Sequence, residues 1–348
     1  METESLGDIA KGVLGGAWAV LVGWILPTAV NLALIAIVLL PAYRGRPELL
    51  DLGLVRRAAE SVPLLVGAVL AGIVLQALQN PLYRLLEGYL FWPRWAYHRG
   101  CEGQRRLKQS FLDRLDLGRM ERRERQHVLE PDEASRLAAL RANTQLQRRA
   151  SASRSHTAVQ HALLRERLRR YPVDDAQVAP TRLGNAIRRL EEYSHDRYRL
   201  DTQVLWNELC GVVPEQIRRQ VESGRTSVDF FVALLYGHIA VAATALGGLL
   251  GPDAKADRLV LAAIVVLGAT PLWYRCAVTS TDEWAAAVRA MVNVGRKPLA
   301  ASMGLVLPAT VEEERRMWAG VCKMSRLPYH PRAAALDDHR DTSVRGPG

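Results

Sequence analysis

The stretch FFVALLYGHIAVAATALGGLL, Phe230 to Leu250, decides the fold. It carries no formal charge and is broken only by His238. A hydrocarbon core about 30 Å thick is crossed by roughly 20 apolar residues in a helix. A helix satisfies every backbone N–H and C=O internally, which a segment in lipid requires. The stretch therefore reads as a membrane-spanning helix, and three others read the same way: Val13–Tyr43, Val62–Leu78 and Leu259–Val278. The first is too short for two spans and long for one. With Pro27 and Asn31 near its middle, it is expected to be a single tilted or proline-kinked helix. The fourth contains Pro271 and ends beside Arg275, where an arginine can snorkel to the interface. The first is expected to be a retained helix rather than a cleaved signal peptide. Its leader, Met1–Lys11, carries three acids and one base, and the apolar run is about twice the usual length.

Outward from these runs the composition changes character. Across 348 residues the chain is 49% hydrophobic and 24% charged, with a formal net charge of +10. Arg99–Arg170 alone holds 18 Lys/Arg against 9 Asp/Glu, so the basicity belongs to one region. Such a patch binds phosphates or holds a domain on the cytoplasmic side. The four cysteines are far apart and form neither a zinc pattern nor a disulfide framework.

Basic residues near span ends set orientation. Arg84, Arg94, Arg99, Arg105, Arg106 and Lys108 follow the second span; Arg218, Arg219 and Arg225 precede the third; Arg275, Arg289, Arg296 and Lys297 follow the fourth. With four spans all share one side, which puts both termini in the cytoplasm. The first connection carries the opposite bias, Arg44, Arg46, Arg56 and Arg57 against Lys11, and is outnumbered. Small residues four apart, Gly12/Gly16, Ala68/Gly72 and Ala243/Gly247, favour close helix packing.

After the second span, residues 80–97 mix Tyr83, Tyr89, Phe91, Trp92, Trp95 and Tyr97 with Arg84 and Arg94. Amphipathic rings and arginine suit the headgroup level, so the segment reads as an interfacial helix anchored by Tyr89, Trp92 and Trp95. Beyond it Leu107, Phe111 and Leu115 fall four apart on one helical face, and Pro131-Asp132-Glu133 opens another helix. A break is expected at Ser151–Ser155 and a linker at residues 173–180. Helices are then expected from Pro180, from Asp201 and from Pro214, the last feeding the third span. Thin apolar stripes between charged flanks suit a helical hairpin or short coiled coil. After the fourth span, Trp284, Val288, Met291 and Val292 line an amphipathic helix, and Thr310 with Glu313 reads as a capping box. The residues from Arg326 read as disordered.

The expected organisation is all-α: an integral membrane helical bundle of about four spans with an arginine-rich helical cytoplasmic domain. Residues 1–98 hold two spans and the interfacial helix, and 99–228 the arginine-rich domain. Residues 229–278 form a spanning hairpin, 279–325 cytoplasmic helices and 326–348 the tail. The strings NPLYRLLEGYL (80–90), PTRLGNAIRRLEEYSHDRYRLDTQVLWNEL (180–209) and GRKPLAASMGLVLPATVEEERRMW (295–318) resemble those of uncharacterised multi-pass membrane proteins of high-GC Gram-positive bacteria. The resemblance covers most of the chain except the middle arginine region and the tail. It implies a bacterial inner membrane location and no particular chemistry.

No phosphate-binding glycine loop, H-E-x-x-H or G-x-S-x-G occurs, and no enzyme, cofactor or metal site is expected. His238 is the most suggestive residue, because an ionisable group inside a span is costly; Asn31 is placed to meet it near mid-membrane. His156 and His161, five apart, do not share a helical face. His195-Asp196 reads as a solvated surface and Asp337-Asp338-His339 as a weak cation binder in a solvated tail. The leading expectation is a membrane-anchored scaffold or regulator. Its basic helices, through Arg84, Arg94, Arg99, Arg105, Arg106 and Lys108, would contact anionic lipid, a protein partner or another copy. A small transporter or channel using His238 and Asn31 is the alternative. A membrane-tethered, non-specific nucleic-acid binder ranks last for want of any binding motif.

Overall fold

The computed structural model describes residues 17–43, 62–127, 129–151, 157–251, 254–328 and 330–340, and among them it is helical with no strand. The chain divides into two compact units, residues 1–83 with 198–348, and residues 84–197. Gly12/Gly16, the four arginines of the first connection, His156 and most of the expected break at 151–155 lie outside the described residues.

The first unit contains the apolar helices. Helix α1 (Ala17–Tyr43) is continuous but has two widened π turns, Leu21–Ile25 and Ile35–Leu39. Each lies just ahead of a proline, Pro27 and Pro41. A proline has no N–H and its ring collides with the carbonyl four residues back, and a wider turn moves that carbonyl aside. Helix α2 (Val62–Ala77) is bent by 58° from α3 (Gln79–Glu87). Pro81 cannot bond the carbonyl of Ala77, so the ladder breaks there.

Three described helices are long and apolar enough to cross a membrane by length and composition: Ala17–Tyr43, Glu215–Leu250 and Ala256–Ser302. The bent pair α2–α3 adds a fourth if it is one span.

The second unit, described by itself, begins within α3. Helix α4 (Arg94–Gln126) is its backbone, followed by α5 (Pro131–Ala142), α6 (Thr144–Ser151), α7 (Thr157–Arg169) and α8 (Arg182–Tyr198). The 107/111/115 stripe packs as the spacing predicts: Phe111, Leu164 and Tyr171 form a core with Leu107, Leu115 and Leu168. A second small core joins Leu117 and Met120 to Leu137 and Leu146. The expected linker is pinned. Asn185, fully buried, accepts from the Ala179 N–H at 2.9 Å and donates to the carbonyls of Ala179 (2.9 Å) and Thr181 (2.7 Å).

In the first unit the chain continues through α9 (Trp206–Val212), α10 (Glu215–Gly247), α11 (Ala256–Ser302) and α12 (Val311–Arg326). At 1.5 Å per residue α10 is about 50 Å long and α11 about 70 Å. Both exceed a hydrocarbon core, and each runs unbroken through a boundary expected from the sequence, at 228/229 and 278/279. The amphipathic stretch with Val288, Met291 and Val292 buried is therefore the second half of α11, not a separate helix.

The apolar helices alternate in direction. Gly23, Asn31 and Tyr43 of α1 meet Thr226 and Gly237 of α10 and Gly248 just beyond its end in the same order, so these two are parallel. Gly72 of α2 packs on Ile25 and Gly67 approaches Leu32, so α2 runs the other way. Trp284 of α11 faces Gly224, and the Lys255 N–H donates to the Ala42 carbonyl at 3.0 Å, so α11 also runs back. Leu39, Ala42, Val241, Ala245, Leu259 and Ala263 fill the space near the Tyr43 end. The outer faces stay apolar: Leu65, Leu70, Ile264 and Val265 are each at least 60% exposed. So much uncovered aliphatic surface is compatible with a membrane-embedded bundle. Of the small-residue pairs, Ala68/Gly72 packs as expected, whereas Ala243 and Gly247 face outward.

Thr310 caps α12, accepting from the Glu313 N–H at 3.3 Å. The expected disordered tail is corrected for residues 330–340. A 3-10 helix, Pro331–His339, buries Leu336 against Gly320, and the Val306 N–H donates to the His339 carbonyl at 2.7 Å. Leu336 supplies the apolar anchor that charge-rich composition concealed.

Candidate functional site

Asn31 and His238 are brought together. Both are buried, and the imidazole Nδ1 lies 2.9 Å from Asn31 Oδ1. That oxygen only accepts, so Nδ1 carries the hydrogen. The Asn31 amide in turn donates to the Pro27 carbonyl at 2.7 Å. Gly237 makes the approach possible, because a Cβ there would sit 2.0 Å from Asn31 Nδ2. Trp273 of α11 meets the imidazole edge-on at 5.7 Å between ring centroids, and Phe231 stacks on Trp273. The pair ties α1 to α10, as polar side chains between helices in lipid do, at about 0.6–2 kcal/mol per hydrogen bond.

A second polar cluster on α10 escaped the sequence reading. Asp229 is 7% exposed; Tyr83 donates to its Oδ1 at 2.6 Å, and Arg225 Nε lies 3.9 Å from Oδ2. Reading the apolar run from Phe230 left Asp229 at its edge, on the helix expected from Pro214. The i, i+4 spacing of Arg225 and Asp229 was the available signal of a polar pair there. Asp229 and His238 are nine residues apart, about 14 Å of helix rise, so the two clusters are separate. Tyr236 donates to the Leu82 carbonyl at 2.8 Å.

Outside the apolar region, α12 is locked to α11 by a buried ion pair. Arg296 Nη1 lies 2.5 and 2.6 Å from the two Glu314 oxygens, Trp318 Nε1 donates to Glu314 at 3.1 Å, and Tyr198 stacks under the guanidinium at 3.8 Å. Asp201 holds the same helix through Arg326 and through its N–H to Cys322 Sγ at 3.2 Å. Burial pushes the Cys322 thiol above its usual pKa, so it stays protonated.

In the second unit the expected basic contacts divide. Arg84, Arg94, Arg99, Arg105 and Arg106 are exposed. Arg105 also donates to the Asp175 carbonyl at 2.9 Å, and Arg106 pairs with Glu102 at 3.2 Å. Lys108 is turned inward: 7% exposed, it donates to the Val173 carbonyl at 2.9 Å and to Asp175 at 2.5 Å. It fastens the 173–180 loop and does not present its charge outward. Its place beside Leu107 in the apolar stripe is the reason.

The aromatic segment is not one helix. Helix α3 stops at Glu87, Gly88 (φ 94°) and Phe91 (φ 58°) turn the chain, and α4 starts after Pro93. Gly88 is required both by its φ and by Pro180, which a Cβ would meet at 2.2 Å. Tyr89 and Trp95 are exposed, and Tyr89 accepts from Arg188 at 2.5 Å. Trp92 is half-buried and donates to the Leu85 carbonyl at 2.9 Å.

His161 lies buried against Gly118, and Arg122 donates to its Nδ1 at 3.0 Å. Burial, then Arg122, Arg165 and Arg114, hold its pKa below the ordinary histidine value. The folded unit therefore favours neutral imidazole. Its stabilising contribution is complete above about pH 6.5 and is lost as pH falls through the lowered folded pKa. Glu192, raised mainly by burial, has the opposite sign: its contribution is present at low pH and is lost as pH rises. Subtracting the His161→Gln melting curve from that of the parent between about pH 5 and 8 isolates the first effect. The parent is expected to lose midpoint on acidification more steeply than the variant; parallel curves would show that His161 is uncoupled from folding.

Among the described residues no group of three or more His, Cys, Asp or Glu is placed to hold a metal ion. A scan against protein-family models, a search of curated proteins and a search of solved structures each find no match to this chain.

Proposed function

We propose that the chain is a membrane-anchored helical scaffold, with four spans (α1, α2, and the apolar parts of α10 and α11) and an arginine-rich unit that contacts anionic headgroups in the cytoplasm. The observation that carries the reading is the outward set Arg84, Arg94, Arg99, Arg105 and Arg106 on the unit that begins seven residues after α2 ends. The alternating helix directions agree with a topology in which Ala17, Leu78, Arg225 and Thr281 share one side. Arg218, Arg219, Arg289 and Lys297 then extend the basic residues on that side. A bacterial inner membrane with both termini inside fits the resemblance and the charge bias.

The test is lipid retention by the full chain extracted in mild detergent. Phosphatidylglycerol is expected to co-purify in preference to phosphatidylethanolamine, and to be lost as salt rises. Replacing the five arginines by glutamine should abolish the preference. Retention indifferent to both salt and the five substitutions would refute the reading. A protein partner or a second copy is the remaining occupant consistent with the same exposed charge.

The Asn31–His238 contact favours a second reading, a small transporter or channel. Its test is flux in proteoliposomes: a folded His238→Ala protein that retains the parent's flux, or a parent with none, removes it. The ranking stays second because Asn31 is hydrogen-bonded to both Pro27 and His238, and the contact reads first as a tie between two helices.

A further inference from the structure

The turn between α3 and α4 exposes its largest apolar side chains. Phe91 is 85% exposed and Trp95 72%. Phe91 holds φ 58°, a left-handed conformation that a bulky residue adopts only under constraint. The surrounding contacts impose that conformation. The N–H groups of Gly88, Tyr89 and Leu90 all reach the Arg84 carbonyl, Trp92 is tied to Leu85, and Gly88 is wedged on Pro180. A soluble surface gains nothing from holding a phenylalanine outward in that conformation.

The first turns of α4 continue the pattern. Trp95 and Arg99 are four apart on one exposed face, with Arg94 and His98 beside them, while Gly100 and Cys101 face inward. Arg84 is exposed on the other side of the turn. The turn is also tethered: Phe91 follows the end of α2 by fourteen residues, nine of them in α3. Two rings with no apolar cover, flanked by cations and held within a short chain of an apolar helix, match the headgroup–acyl boundary of a bilayer.

We propose that the Gly88–Trp95 turn is a lipid-inserting wedge. Phe91 and Trp95 enter the acyl boundary of an anionic membrane, and Arg84, Arg94 and Arg99 pair with headgroup phosphates. The inference rests on the scaffold reading and sharpens it, because Phe91 replaces the half-buried Trp92 as the inserting ring.

The test uses the full chain reconstituted in bilayers of phosphatidylcholine with phosphatidylglycerol. One preparation contains a lipid with a photoactivatable acyl chain, a second one with a photoactivatable headgroup. Trypsin releases Leu85–Arg94 and Trp95–Arg99, together with Tyr171–Arg182, which carries the exposed but unflanked Val173 as a control. Acyl-chain label is expected on the first two peptides several-fold above the third. Phe91→Ser should lower it on Leu85–Arg94 without changing the label on peptides from α10 and α11. Headgroup label on Leu85–Arg99 with acyl label no higher than on Tyr171–Arg182 would overturn the wedge and leave the scaffold reading standing. If neither label exceeds the control, both fall.

Discussion

Glu314→Ala is expected to destabilise the first unit more than any other single truncation outside the apolar helices. The carboxylate is 4% exposed and takes three short contacts, two from Arg296 and one from Trp318. Removing it strands a guanidinium whose Nε already has no hydrogen-bond partner. Breaking one side of a buried pair costs about 3–5 kcal/mol, because an unpaired charge is left behind. Arg296 retains some solvent access, which argues for the lower end. A fall in melting midpoint on the order of 5–10 °C follows, read by size-exclusion fluorescence after heating. Glu314→Gln keeps the shape and an acceptor for Trp318, so it should lose distinctly less. Equal losses for Ala and Gln would show that packing rather than charge holds α12.

Gly237→Ala is the second large effect, and it lies inside the bundle. Its Cβ would fall 2.0 Å from Asn31 Nδ2 and 2.4 Å from Cγ. Asn31 cannot withdraw while bonded to both Pro27 and His238, so α1 must separate from α10 or both bonds must break. Overpacking of this kind costs about 1–3 kcal/mol, and the lost polar contacts add to it. Asn31→Ala alone should cost less, by deleting the bond without forcing the backbones apart. In the double variant the new methyl occupies the space vacated by the amide, so the two changes should be strongly non-additive, with the pair more stable than Gly237→Ala. Additive losses would mean that residues 31 and 237 do not share that space.

The apolar runs were the most legible part of the chain, since length and freedom from charge suffice to mark Val62–Ala77 and the cores of α10 and α11. The polar residues at their edges were not. Helix α10 begins at Glu215, as Pro214 signalled, but the apolar run was read only from Phe230, and Asp229, one residue earlier, was missed. The meeting of His238 with Asn31 was legible because a polar residue in a span needs a partner and few were on offer. Lys108 was misplaced because charge was read without the helical face that Leu107 and Phe111 define. The break at Gly88–Pro93 was hidden by aromatic content that suits an interfacial helix, although Gly88 and Pro93 stood in the sequence as its signal.

Sidedness is the central claim, and cysteine accessibility in intact spheroplasts tests it most directly. With the four native cysteines replaced, Gln126→Cys marks the arginine-rich unit and Lys255→Cys, at an exposed position, the connection between α10 and α11. A membrane-impermeant maleimide added outside is expected to label Lys255→Cys at once, and Gln126→Cys only after the membrane is permeabilised. Labelling of Gln126→Cys in sealed spheroplasts, with Lys255→Cys protected, would contradict the account.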